Sequence, residues 1–276
     1  MNEVMQFESQ TLNGIRLGWR MWGSTENYPL LCLHGAWGQS EFWAPFANSI
    51  SEHRCVVALD LRGHGESGWS EDYSLDAFSA DVAALRAYYG WETFDLVGLS
   101  LGGLVSISYA GQESEHLTRL TIVDVAPTLS PAITAELQNS ESYPPSFESL
   151  DAALQWARGD GLWGDSEGLR DDLALRLREH PDGSWAWRAD PSFWENRQRS
   201  RWADKDDLWD ALAQPSCPVQ LVQGSESPFL DDDIVARVRE RQPNLRHDVI
   251  QGSGHSVPRD VPDAFNRVVA DFLLRG

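Results

Sequence analysis

The sequence predicts an α/β fold in which a mostly parallel sheet lies between two layers of helices. Three observations lead to this prediction. The chain has 276 residues, enough to bury a sizeable core in one large domain. Most of it alternates short apolar runs with helix-length segments, as expected of strands buried on both faces and connected by helices. The opening stretch, residues 4–23, instead alternates apolar and polar residues around Asn13-Gly14, which predicts an antiparallel hairpin.

The buried strands are predicted from continuous apolar runs, and with the two hairpin strands they make an eight-stranded sheet. These runs are Leu30–Leu33, Cys55–Leu59, Phe94–Val97, Leu120–Val123, Val219–Val222 and His247–Ile250. Two intervening helices are also visible in the sequence. Leu75–Tyr89 carries apolar residues at helical spacing, and Leu101–Gln112 begins directly after a glycine-rich turn.

The alternation of strands and helices stops at about residue 129 and resumes at about 218, which predicts an insertion after the sixth strand. We divide the chain into a core, residues 1–128 and 215–276, and a helical cap, residues 129–214. Helical patterns lie near residues 148–158, 167–179 and 205–213.

Tryptophan is concentrated in the predicted cap, which holds seven of the thirteen Trp residues. A cap that covers a pocket must line it with apolar groups, so Trp187 and Trp194 are candidate substrate contacts. Packing within the cap is the alternative, and it is the commoner role of Trp on amphipathic helices.

The charge balance excludes some classes of partner. The chain has 22 Lys and Arg against 42 Asp and Glu, a formal net charge of −20. Such a surface repels nucleic-acid phosphates and anionic lipid, so we expect binding to neither nucleic acid nor membrane. No apolar run approaches the roughly 18 residues of a membrane helix, and the start lacks the features of a secretory signal. We therefore expect a cytoplasmic location.

The cysteines and histidines give no sign of a disulfide framework or a metal site. Cys32, Cys55 and Cys217 are far apart, and the first two lie in apolar runs typical of buried, inert thiols. No spacing typical of metal-ligating histidines occurs, and we expect neither a metal nor another cofactor.

The most specific motif is Gly98-Leu99-Ser100-Leu101-Gly102, a GxSxG pattern between a predicted buried strand and a predicted helix. Small residues at positions 98 and 102 allow a sharp turn that projects Ser100 from the end of the sheet, as a nucleophile requires. A dinucleotide-binding loop is the rival interpretation, but it needs glycine where Ser100 stands.

A glycine-flanked loop, His34–Gly38, follows the strand at Leu30–Leu33. Backbone N–H groups can point into open space from such a loop. The N–H groups of Ala36 and Leu101 are the candidate pair for an oxyanion hole. Trp37 is a candidate substrate contact, and we interpret His34 as a structural hydrogen-bonding residue.

Gly252-Ser253-Gly254-His255 follows the last predicted strand and places a histidine on a loop late in the chain. An exposed loop histidine without a role is the alternative. The position of His255 late in the chain favours a catalytic role, because the triad residues that occur with this strand arrangement follow the chain order serine, acid, histidine.

Together with Asp60–Ser67, these three motifs make the chain resemble the α/β-hydrolase superfamily over nearly its whole length. The resemblance implies a serine, histidine and acid triad without a cofactor, and a cap between the sixth and seventh strands. It also implies that Asp60–Ser67 is a structural turn.

The triad acid departs from the commonest pattern of the superfamily, which has Asp three residues after a glycine in the loop following the seventh strand. Here Ser227 stands at that position after Gly224. The segment Gly224–Phe229 is similar to that of YbfF-type small acyl esterases, where the acid follows the sixth strand instead. That resemblance assigns the acid to Asp124, with Ser227 supporting His255. A loop-fixing carboxylate is the alternative role for Asp124, and Glu226 is the second candidate acid.

A run of acids at Asp231–Asp233 precedes an apolar helical pattern and is explained by helix capping.

The function we predict is that of a serine hydrolase that cleaves small to medium carboxylic esters. Lactone, thioester and carbon–carbon bond hydrolysis use the same machinery, and aminopeptidase activity is a further rival. A ligand-binding or receptor-like protein with little turnover is the alternative of another class.

Overall fold

The computed structural model describes residues 5–134, 144–160, 168–193 and 206–275. Its strands, numbered in chain order, are β1 (Gln6–Leu12), β2 (Ile15–Trp22), β3 (Tyr28–Leu33), β4 (Arg54–Asp60), β5 (Phe94–Leu99), β6 (Leu117–Val123), β7 (Ser146–Phe147), β8 (Leu177–Glu179), β9 (Trp185–Trp187), β10 (Val219–Gly224) and β11 (Arg246–Ile250). Its helices are α1 (Ala44–Ile50), α2 (Leu75–Tyr89), α3 (Leu101–Glu113), α4 (Leu150–Asp160), α5 (Leu169–Arg176), α6 (Asp206–Leu212), α7 (Asp232–Arg241), α8 (Val257–Asp260) and α9 (Pro262–Leu274).

The main sheet has eight strands in the order β1-β2-β4-β3-β5-β6-β10-β11. The two strands of the opening hairpin pair antiparallel, and every pair from β4 to β11 is parallel. The predicted α/β class and mostly parallel sheet are confirmed. Because parallel strands share a direction, the loops after β3, β5, β6, β10 and β11 all leave from the same edge of the sheet.

The hairpin turn is built by two residues with positive φ, Asn13 at 49° and Gly14 at 76°. This conformation matches the right-handed twist of the flanking strands, and Asn-Gly adopts it at low cost. The register from Leu12 opposite Ile15 to Gln6 opposite Met21 follows from this two-residue turn.

The core has two parts, one on each face of the sheet. Along β3, Leu30 and Cys32 pack against the helices that include α1 and α9, whereas Leu31 and Leu33 pack against those that include α2 and α3. Burial on both faces explains why the central strands are uninterrupted apolar runs. Burial also raises the pKa of the Cys32 thiol well above its usual range, in keeping with the predicted inert thiol.

The insertion, by which we mean the described residues between β6 and β10, contains α4, α5 and α6 together with a small antiparallel sheet in the order β7-β9-β8. The prediction of a helix over residues 167–179 is therefore wrong at its end, since α5 stops at Arg176. The turn Pro181-Asp182-Gly183 closes a hairpin between β8 and β9: Gly183 has a φ of 86°, and Asp182 accepts hydrogen bonds from Ser184.

Over the described ranges, no helix is both long and apolar enough to cross a membrane.

Candidate active site

Ser100 lies at a strained turn between β5 and α3. Its φ of 53° and ψ of −116° are unusual for a residue with a side chain, and such strain persists only where the surrounding structure enforces it. The Ser100 N–H donates to the Val123 carbonyl (3.0 Å), and the Gly102 N–H donates to the His34 carbonyl (3.1 Å). These bonds fix the turn between the ends of β6 and β3.

Glycines on either side of Ser100 make this turn possible. A Cβ at Gly98 would overlap the carbonyl oxygen of Gly102 and the hydroxyl of Ser106. A Cβ at Gly102 would overlap the Leu33 carbonyl. The GxSxG pattern therefore reflects close backbone approach as well as a sharp turn.

The loop after β3 runs beside Ser100. A Cβ at Gly35 would lie 3.3 Å from the Ser100 Cβ, so the two segments are close to van der Waals contact. The next residues are Ala36 and Trp37, and Trp37 has a φ of 62°. Within the described ranges, neither the Ala36 N–H nor the Leu101 N–H donates a hydrogen bond. Both donors therefore remain available to a negatively charged oxygen beside Ser100.

Two buried histidines near this loop are unsuited to act as a base at neutral pH. Burial lowers the pKa of His34 to about 4 and that of His64 to about 3. His34 Nε2 also accepts the Leu61 N–H (3.0 Å), which uses its free lone pair. His34 thus links the loop after β3 to the loop after β4, consistent with the structural role predicted for it.

His255 lies on the loop after β11 and contacts Asp124, the residue that follows β6. The distance from His255 Nδ1 to Asp124 Oδ2 is 2.8 Å. The Asp124 side chain is fully buried, whereas that of His255 is 24% exposed. Nδ1 donates to the carboxylate, which leaves Nε2 with a free lone pair that can take a proton.

The Asp124 carboxylate receives two further donors, one from the last residue of β10 and one from the loop that follows it. Oδ1 accepts the Gly224 N–H (3.0 Å), and Oδ2 accepts the Ser227 hydroxyl as well as the His255 N–H. The backbone of Asp124 has a φ of 54°, and its N–H donates to the Val222 carbonyl (2.8 Å). Hydrogen bonds of this kind hold the carboxylate in one position.

Ser227 and Glu226, neighbours on the loop after β10, have different surroundings. Ser227 was expected to support His255, but its hydroxyl contacts the Asp124 carboxylate, because the loop after β10 lies beside the end of β6. Glu226, the second candidate acid, is exposed, and its N–H donates to the Ser253 carbonyl (2.9 Å). Asp231 caps α7 by accepting the Ile234 N–H (2.9 Å), in line with the capping role predicted for it.

Phe229 lies flat against His255, and the sequence did not point to it. The ring centroids are 3.5 Å apart and the planes differ by 7°. The stack and the Asp124 contact together restrain the imidazole about two different axes. No local pattern distinguishes this phenylalanine from a core residue, because the contact spans two loops far apart in the sequence.

Two of the three predicted substrate-contacting tryptophans, Trp37 and Trp187, form part of an aromatic cluster. The Trp37 and Trp187 ring centroids are 5.0 Å apart, and Trp187 also contacts Phe147 and Trp156. Trp37 and Trp187 are each 5% exposed, and the Trp187 indole N–H donates to the Pro144 carbonyl (2.8 Å). This burial favours packing as the main role of Trp187. Trp194 lies outside the described residues.

Within the described ranges, no three His, Cys, Asp or Glu side chains are grouped closely enough to hold a metal ion.

A family model described as the alpha/beta hydrolase fold matches residues 28–259, most of the chain. The protein therefore belongs to the α/β hydrolase fold family. It is 30% identical to esterase Rv0045c of Mycobacterium tuberculosis, over 98% of this chain and 89% of the relative. It is 22% identical to esterase YbfF of Escherichia coli, over 90% of this chain and 93% of the relative.

Among solved structures, the crystal structure of the M. tuberculosis esterase Rv0045c superimposes with a TM-score of 0.77 at 27% identity. The match covers 99% of this chain and 92% of that one.

The packing at the elbow predicts that Gly98→Ala destabilises the protein by about 1 to 3 kcal/mol, since the added methyl must displace backbone atoms. Gly159→Ala is the matched control. Among the described residues, no atom outside the local helix backbone lies within 4 Å of the methyl it would add, and position 159 of α4 is exposed, so the change should be neutral or stabilising by up to about 1 kcal/mol. Urea unfolding measures both free energies. Equal effects of the two substitutions would contradict the close approach at Gly98.

Proposed function

We propose that the protein is a serine hydrolase that cleaves small to medium carboxylic esters through an acyl-enzyme intermediate. The observation that carries this proposal is the contact of His255 with the buried carboxylate of Asp124, at the sheet edge where the strained Ser100 projects. The similar proteins named as esterases support the choice of reaction.

In the proposed first step, the Ser100 hydroxyl oxygen attacks the ester carbonyl carbon while His255 Nε2 takes the hydroxyl proton. The carbonyl π electrons move to the oxygen, which the N–H groups of Ala36 and Leu101 stabilise. The carbon–oxygen bond to the alcohol then breaks, and His255 returns its proton to the leaving oxygen. Water, activated by the same imidazole, releases the acid from Ser100.

Asp124 has two roles in this scheme. It fixes the proton of His255 on Nδ1, so that Nε2 faces the nucleophile, and its charge stabilises the imidazolium formed in each step. Burial makes both effects stronger, because no water competes for the carboxylate and the local dielectric is low. Ser227 holds the carboxylate in place, and Phe229 holds the plane of the ring.

The substrate class follows from the surroundings of the oxyanion loop, which we define as residues 34–38. Trp37 in this loop packs at a tilt of 48° against Trp187 of the insertion and also contacts Phe193. We propose that this aromatic wall bounds the acyl or alcohol pocket, which favours an apolar or aromatic group on the ester. The net charge of −20 disfavours highly charged anionic substrates.

The first prediction concerns Ser100. A serine-directed phosphonate should label the protein stoichiometrically at Ser100, and Ser100→Ala should lose turnover of p-nitrophenyl esters while its thermal unfolding stays close to that of the wild type. Intact-protein and peptide mass spectrometry locate the label. Ser106→Ala is the matched control, because Ser106 is buried on α3 and bonds the Gly102 carbonyl (2.7 Å).

Labelling at another serine, or substantial ester turnover by Ser100→Ala, would contradict covalent catalysis by Ser100. A ligand-binding protein with an idle site would show neither labelling nor turnover. The phosphonate experiment therefore also distinguishes the two classes of function.

The second prediction concerns the acid. Asp124→Asn should lower kcat by orders of magnitude, since loss of the equivalent carboxylate in serine proteases costs about 10⁴-fold. Ser227→Ala and Glu226→Gln should lower kcat much less, because Ser227 is a neutral donor to the carboxylate and Glu226 is exposed. Steady-state kinetics at saturating ester measures all three variants. If Glu226→Gln lost most of its kcat while Asp124→Asn kept it, the acid would lie on the loop after β10.

A further inference from the structure

An ion-pair network connects the insertion to both loops of the proposed active site. Its centre is Asp172 on α5, whose side chain is 3% exposed. Arg176, one helical turn later, places Nε 2.8 Å from Asp172 Oδ2, and its side chain is 10% exposed. A pair this well enclosed has a more fixed geometry than one at the surface, because water does not screen it and the side chains cannot rotate freely.

One arm of the network reaches the oxyanion loop. Arg176 Nη1 donates to the Ala36 carbonyl at 3.0 Å. The N–H and C=O of Ala36 lie in the two peptide planes that meet at its Cα, so holding the carbonyl restrains the N–H through the φ and ψ of this one residue. The next residue, Trp37, has a φ of 62°, a conformation that must be enforced from outside.

The other arm reaches the loop that carries His255. Arg259 on α8 places Nη1 2.5 Å from the same Asp172 oxygen. Its neighbour Asp260 accepts the Gly254 N–H at Oδ2 (2.9 Å), and its Oδ1 lies 3.5 Å from Arg259 Nη2. The residue before His255 is thus tied through Asp260 and Arg259 to Asp172.

The same helix supplies a contrasting ion pair. Arg170, two residues before Asp172, pairs with Asp151 of α4, and these side chains are 49% and 78% exposed. This pair contacts neither loop of the proposed site. Its loss changes the charge of α5 without touching the network, which makes it a matched control.

We infer that Asp172 is a positioning residue for the proposed ester hydrolysis. It holds Arg176 on the Ala36 carbonyl and Arg259 beside the His255 loop, so that the insertion fixes the oxyanion donor and the general base relative to Ser100. The inference rests on the proposed function, because it assigns Asp172 an effect on the transition state of that reaction. Neither Asp172 nor the two arginines needs to touch the substrate.

The test uses an aryl trifluoromethyl ketone, whose carbonyl carbon accepts the Ser100 oxygen. The adduct carries an oxyanion in the Ala36 and Leu101 N–H groups, and the serine proton passes to His255. The variants are Asp172→Asn, which keeps the shape and removes the charge, and Arg176→Met, which keeps the aliphatic stem. Arg170→Gln is the control. Active-site titration with the phosphonate gives the fraction of competent enzyme.

We expect the inhibition constant of the ketone to rise on the order of tenfold in Asp172→Asn and Arg176→Met. One oxyanion donor contributes about 10²- to 10³-fold to kcat, and a displaced donor loses part of that stabilisation. The value of kcat per titrated site should fall by a similar factor while KM changes little. Arg170→Gln should match the wild type in both. A merely structural role would lower the titrated fraction and the melting temperature. It would leave both the inhibition constant and kcat per titrated site at their wild-type values.

The positioning role would be overturned if Asp172→Asn and Arg176→Met both kept the wild-type inhibition constant and the wild-type kcat per titrated site. If Asp172→Asn does not fold, Arg176→Met together with Arg259→Gln decides the question from the two arms, and wild-type behaviour of both would overturn it equally. A wild-type protein that neither binds the ketone nor reacts with the phosphonate would instead overturn the proposed function, and the positioning role with it.

Discussion

The buried carboxylate of Asp124 is the interaction on which the rest of the proposed site depends. A fully enclosed negative charge is costly unless donors surround it, and here the Gly224 N–H, the Ser227 hydroxyl and the His255 imidazole all point at it. These donors come from the end of β10, the loop after it and the loop after β11. One carboxylate thus holds three segments together and gives the imidazole its orientation.

The sheet explains why these segments meet. The loops after β3, β5, β6, β10 and β11 lie side by side along one edge, because those strands are parallel neighbours. Trp37, Ser100 and Asp124 each begin such a loop or lie near its start, and each has a positive φ. Strain concentrated where function is proposed is a common feature of active sites, and the packed strands beneath provide the rigidity that maintains it.

The sequence predicted what is encoded locally. Short sequence patterns, which can be interpreted without distant residues, predict the buried strands and the Asn-Gly hairpin. Patterns of the same kind point to Ser100 and His255. Asp124 required resemblance to known proteins, since an Asp after a strand is also an ordinary turn residue. The hairpin that turns at residues 181–183 was not predicted, because the helical pattern near residues 167–179 includes Leu177–Glu179, which form its first strand. Asp172 could not be found at all, since its partners lie far away in the chain.

The central claim is that the Asp124 carboxylate holds the Nδ1 proton of His255, and proton NMR of the resting protein tests it most directly. A hydrogen bond to a buried carboxylate protects this proton from exchange and shifts its resonance far downfield of the amide region. We predict that this resonance is present in the wild type and in Glu226→Gln, and absent from folded His255→Ala and Asp124→Asn. A downfield resonance that persists in Asp124→Asn and vanishes in Glu226→Gln would contradict the account.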